Sequence, residues 1–157
     1  MTRTHGRCAR GQRLIAKVPQ GRRETLTFIA ALRCDGLTAP CLLDGPIDAD
    51  SFLAWIEQML APALLPGYLV IMDNLPAHKV AGVKEAIAAR GAKLRYLPAY
   101  SPDLNPIENA FAKLKAHVRK AAARTFQALE MAAANALRQF APAECLNFFA
   151  HAGYGSD

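Results

Sequence analysis

No apolar run in this chain is long enough to cross a bilayer, and its arginine-rich N-terminus lacks the apolar stretch of a secretion signal. That excludes a helical membrane protein and points to the cytoplasm. Four cysteines (Cys8, Cys34, Cys41 and Cys145) form no C-x-x-C pair, so a zinc site is not expected and buried free thiols in a reducing compartment are. There is no G-x-S-x-G and no nucleophile context for any cysteine, which disfavours a hydrolase unrelated to nucleic acids. Repeats, low-complexity tracts and interdomain linkers are missing too, so the 157 residues read as one domain. Acids are in short supply: 13 Asp and Glu against 19 Lys and Arg give a net charge of +6, as a polyanionic partner would favour.

What is present is ordinary globular composition, 52% hydrophobic and 20% charged, with the charge unevenly placed. Arg3, Arg7, Arg10, Arg13, Arg22 and Arg23 crowd the start, and a second basic cluster runs from Lys113 to Arg124. Phosphate oxygens are the natural counterpart of such clusters, although a solvated surface accounts equally well for any single arginine.

Hydrophobic periodicity alternates between strand and helix. Residues 13–19 and 24–33 read as two strands joined by a turn around Pro19–Gly21, with an Asp35-Gly36 turn and a short third strand at 40–45 to follow. Asp48 or Asp50 caps a helix whose Phe52, Trp55, Ile56, Met59 and Leu60 make one apolar stripe. YLVIMD (68–73) reads as a strand buried on both faces, 78–90 as a helix closed by Gly91, and KLRYLP (93–98) as a strand parallel to the first. Helices are expected at 105–122, 125–140 and 142–150, broken by Pro142. The order gives a mixed α/β domain.

Two acids stand out. Asp73 ends the apolar strand, and Glu108 opens a helix in LPAYSPDLNPIENAFAKLK. Phosphodiester chemistry with two metal ions needs carboxylates brought together from separate elements, and a strand end and a helix start can converge over one sheet edge. Each acid also has a plainer role available. Asn105-Pro106-Ile107-Glu108 has the form of a capping box, and Asp73-Asn74 can simply start a turn. On a helical wheel Ile107, Phe111, Leu114 and Val118 form the buried stripe. Glu108, Lys115 and Arg119 share a neighbouring face, and Lys113, His117, Lys120 and Arg124 the far side. His78 is placed to hydrogen-bond a phosphate or an acid, or else to cap or pack, and Lys79 adds a cation beside it. Asn74 reads as structural, Trp55 as core, Tyr100 as loop packing, and His5, His117 and His151 as surface or packing residues.

The strings DNLPAHK and LPAYSPDLNPIENAFAKLK, at this separation, resemble the catalytic core of mariner-related bacterial insertion-sequence transposases of the DDE superfamily. The likeness runs from GRCARGQRL through DGPID to the AECLNFFAHAGY tail. It implies an RNase H-like mixed sheet flanked by helices, binding to double-stranded transposon-end DNA, and three acids working with Mg2+ or Mn2+. Asp73 matches the second acid of that set and Glu108 the third. The first belongs on a central strand just before the segment that opens this chain, and Asp35, Asp44 and Asp48 have the wrong context for it. The expectation is an N-terminally truncated catalytic domain without that strand, exposing unpaired edges, and inactive alone. Its DNA contacts are expected from Arg3, Arg7, Arg10, Arg13, His78, Lys79, Lys113, Lys115, Arg119 and Lys120. A non-catalytic DNA-binding or regulatory fragment, associating as a homodimer or with full-length transposase, is the alternative.

Overall fold

The structure is a computed structural model and describes Arg10, residues 26–123 and residues 125–155. The expected strand at 13–19 lies outside the described residues. Strand β1 (Leu26–Arg33) pairs antiparallel with β2 (Gly36–Asp44) through the anticipated Asp35-Gly36 turn, where Arg33 Nε donates to Asp35 at 3.1 Å. The second strand is longer than its apolar run suggested because Pro40 sits in a bulge. Register passes from Ile29↔Cys41 to Ala31↔Thr38, so Ala39 and Pro40 together oppose Ala30, and Ala39 takes the left-handed φ of 50°.

Alternation along β1 gives the hairpin two apolar faces. Ile29 and Ala31 join one core with Phe52, Trp55, Ile56, Met72, Val83 and Ile87, while Phe28 and Leu32 join a second with Ala110, Leu114, Ala136, Phe140 and Cys145. Helix α1 (Ala49–Trp55) lies on the first face. Asp48 is its N-cap, accepting from Ser51 N at 2.8 Å, and these hydrogen bonds hold the Asp48 carboxyl below the usual carboxylate range. The helix continues as a π turn (Ile56–Leu60) and a 3-10 turn (Ala61–Ala63). Trp55 Nε1 donates to the Ala39 carbonyl at 2.8 Å, so the indole closes the polar gap that the bulge opens.

Strand β3 (Leu69–Met72), helix α2 (Val83–Ala88) and strand β4 (Lys93–Tyr96) form the expected parallel unit, in register from Leu69↔Lys93 to Met72↔Tyr96. Two expectations are corrected here. Burial of β3 on both faces fails: Met72 is buried but Leu69 is 51% exposed, because among the described residues β3 has a ladder partner on one side alone. The described strands form two two-stranded ladders that share a core. The helix expected from His78 to Arg90 is split into a 3-10 turn (Pro76–Lys79) and α2. The break is at Gly82, whose φ of 95° ends one turn before the next begins, and where an added Cβ would lie 3.1 Å from Leu53 Cδ1.

The remainder is α3 (Ile107–Ala121), α4 (Phe126–Leu137) and α5 (Pro142–His151), close to the expected bounds. Of the three described cysteines, Cys145 alone is fully buried, and burial pushes its thiol up; Cys34 is exposed and Cys41 half-buried, against the expectation of buried thiols. Among the described residues no helix is long and apolar enough to cross a membrane.

Two substitutions test this packing. Trp55→Phe keeps the ring but strands the buried Ala39 carbonyl, and is expected to cost about 1–3 kcal/mol in denaturant unfolding. Gly82→Ala combines a left-handed backbone, worth about 1–2 kcal/mol for a residue with a Cβ, with the Leu53 contact. It should lower the unfolding midpoint, whereas Ala at the exposed Glu57 should not.

Candidate active site

Asp73 follows directly on β3, where the parallel ladder ends and the chain turns into the Pro76–Lys79 segment. That turn brings His78 back onto it: His78 Nδ1 lies against Asp73 Oδ1 as an ion pair, and neither buried atom has any other polar partner. Asn74 Oδ1 beside them is also buried and without a partner. The imidazole lies on Phe52 of α1, ring centroids 4.3 Å apart and planes 22° from parallel. Behind it, Tyr96 at the end of β4 donates its hydroxyl to the His78 carbonyl at 2.8 Å. Burial, and then the nearby Glu85 carboxylate, push the Tyr96 phenol above its ordinary range and keep it a donor. Asn74 was expected to hold the turn; its Oδ1 makes no hydrogen bond in doing so.

Glu108 is held differently. The stiff loop contributes a 3-10 turn (Pro102–Leu104), and α3 starts at Ile107 with Pro106 in the cap position. No side chain caps this helix; Asn105 supplies its carbonyl to Glu108 N at 3.1 Å instead. The capping-box reading of Glu108 is therefore corrected. Its exposed carboxylate makes no hydrogen bond or ion pair among the described residues, and it lines a cavity of about 370 Å³ with Pro102, Asp103, Leu104, Asn109 and His151. The far wall is the end of α5, fastened by Tyr154, whose hydroxyl donates to the Leu104 carbonyl at 2.9 Å. His151, read from the sequence as a surface or packing residue, and Tyr154, which that reading passed over, come near the Glu108 loop only across the tertiary fold.

Asp73, His78 and Glu108 do not gather into one cluster: among the described residues no three of His, Cys, Asp or Glu lie grouped as a metal site requires. What each acid offers is a hard oxygen donor, and the Asp73 carboxylate oxygen turned away from His78, with the partnerless Asn74 Oδ1 beside it, suits a divalent cation such as Mg2+ or Mn2+.

Among the expected DNA cations, Lys115, Arg119 and Lys120 are exposed along α3, and Lys79 stands 5.7 Å over the Tyr96 ring. Arg10 is exposed in a turn, while Arg3, Arg7 and Arg13 lie outside the described residues. Lys113 is otherwise engaged. Its Nζ donates to the Gln139 carbonyl at 2.8 Å, pairs with Glu144 and sits 4.6 Å over Phe140, tying α3 to the α4–α5 junction. Tyr100, expected to pack in its loop, is fully solvent-exposed with a left-handed φ of 58°, so its ring faces outward beside the loop that carries Glu108.

Comparison with known proteins agrees with this architecture. The strand-transfer complex of Mos1 superposes with a TM-score of 0.77 at 16% identity, covering 94% of this chain and 46% of that one. The Mos1 mariner paired-end complex with Mn gives 0.77 at 15% identity, covering 92% and 46%. The isolated catalytic domain of Mos1 mariner transposase gives 0.64 at 13% identity, covering 81% and 74%. The chain thus spans about half the length of the full Mos1 transposase chains it resembles, and its fold is the RNase H-like one. No curated protein matches the chain. The family profile described as DDE superfamily endonuclease matches residues 1–130, and the chain belongs to that family.

Proposed function

We propose that this chain serves DNA transposition, as the part of a transposase catalytic domain that supplies Asp73 and Glu108 for metal-dependent cleavage and strand transfer at transposon ends. The observation that carries the reading is that neither carboxylate is consumed by the fold. Asp73 Oδ1 meets only His78, and Glu108 caps nothing at the head of its helix. Asp73, with Asn74 beside it, and Glu108 would hold Mg2+ or Mn2+. When bound, such ions activate the attacking oxygen and stabilise the leaving one. The chain's own groups bring the acids to the ends of β3 and α3 and lay a cationic face along α3. Lys115 and Arg119 on that face meet backbone phosphates without reading sequence.

The chain binds duplex DNA through these cations, and any cutting depends on Asp73 and Glu108 both being held in place. Each divalent ion needs several oxygen ligands, and displacement of reacting groups by even about 1 Å can cost on the order of a hundredfold in rate. Its partners are double-stranded DNA and a second copy of the chain or a full-length transposase.

Titration of labelled duplex across salt concentrations tests the binding half. Affinity should fall steeply as salt rises, and Lys115→Ala or Arg119→Ala should each lower the log–log slope by about 1. Lys113→Met should leave the slope alone and lower stability by about 1–3 kcal/mol, since it removes a charged hydrogen bond inside the fold. Binding indifferent to salt, or strand cleavage by the isolated chain that survives Asp73→Asn, would contradict the proposal.

A further inference from the structure

His78 is held on more sides than a surface phosphate contact needs. Its ring is stacked on Phe52, which is itself 4% exposed and belongs to the first core, so the imidazole plane is set by the domain interior. Its backbone is fixed from the opposite direction by the Tyr96 hydroxyl and by its own N–H, which donates to the Leu75 carbonyl at 3.0 Å. Beyond the turn, Gly82 leaves room for Leu53 of α1, whose Cδ1 would lie 3.1 Å from an added Cβ. With the ring and main chain both fixed, Nδ1 is presented to Asp73 Oδ1, and both atoms are shielded from water.

We infer that His78 is a positioning residue for Asp73: its Nδ1–H holds Oδ1 of the carboxylate, so that the other carboxylate oxygen is presented in one orientation to a divalent cation. The inference rests on the proposed role of Asp73 and deepens it. The division of the carboxylate follows from burial. Oδ1 is out of solvent although the Asp73 side chain as a whole is 38% exposed, so its exposure lies with the remainder of the group. A carboxylate on a strand end otherwise rotates about two side-chain torsions, and each cation bound must first stop that rotation. A neutral imidazole carries one N–H, and using it at Nδ1 fixes the tautomer and leaves Nε2 an acceptor. Groups that orient a ligating side chain in this way typically change metal affinity by about 10–100-fold. The phosphate-contact role considered from the sequence would need the N–H directed at solvent, which the pairing with Asp73 opposes.

The test uses the whole 157-residue chain. Mn2+ binding is read from the electron paramagnetic resonance signal of the free ion for wild type, His78→Phe and His78→Asn. His78→Phe keeps an aromatic ring on Phe52 while removing the donor, so it separates positioning from packing; thermal melts by circular dichroism confirm that each variant folds. Expected are a 10–100-fold weaker Mn2+ affinity for His78→Phe and partial recovery in His78→Asn, whose amide restores a donor. Independently of metal, nitrogen NMR of the histidine rings at mildly alkaline pH should show His78 as the Nδ1–H tautomer, reverting toward a mixture in Asp73→Ala. Wild-type affinity in His78→Phe, or a bare Nδ1 in the wild-type chain, overturns the inference. If the wild-type chain binds no Mn2+ that Asp73→Asn abolishes, the proposed function fails instead, and the tautomer still decides the role of His78.

Discussion

The two-faced β1–β2 hairpin is the constraint on which the rest depends. Strand alternation sends Ile29 and Ala31 into the core beneath α1, β3 and α2, and Phe28 and Leu32 into the core of α3, α4 and α5. Asp73 belongs to the first group of elements and Glu108 to the second. A one-residue slip in this hairpin would exchange the two faces and disturb both cores at once. The bulge at Ala39–Pro40, sealed by the Trp55 indole, pins the register.

Around that wall the two acids are prepared in opposite ways. Asp73 is set in an ordered pocket of side chains, with His78, Phe52 and Tyr96 supporting it from three elements. Glu108 is exposed at a helix start, and what is fixed is its helix: Lys113 anchors α3 to Glu144 and Gln139, and Tyr154 anchors the preceding loop at Leu104. The one acid is thus fixed by its neighbours and the other is left open to solvent. The outward, left-handed Tyr100 lies on the same loop, where backbone strain of this kind collects at binding sites.

Much of this was legible in the chain. The Asp48 cap, the apolar stripe of α1, the parallel β3–α2–β4 unit and the Leu114–Val118 face of α3 all follow from local patterns of capping and period. Two of the failures share a physical cause, which is that they depend on partners distant in sequence. Lys113 looked like a DNA cation because its neighbours on α3 are exposed, yet its anion is Glu144, separated from it by 31 residues and met only when α5 folds back. The helical stretch breaks where Val80 turns extended and Gly82 takes a left-handed backbone, at a point where Leu53 of α1 leaves no room for a Cβ. The Glu108 capping box had the right residues but not the geometry, since the 3-10 turn at Pro102–Leu104 sets how the chain enters α3.

The central claim is that Asp73 and Glu108, though held by different cores, serve one divalent cation. A double-substitution cycle on Mn2+ affinity, using Asp73→Asn, Glu108→Gln and the pair together, measures that directly. If the two carboxylates share the ion, the second substitution should cost far less once the first is made, a coupling well above the roughly 0.3–0.5 kcal/mol within which independent sites add. Additive losses, or a Glu108→Gln chain that binds Mn2+ as wild type does, would contradict the account.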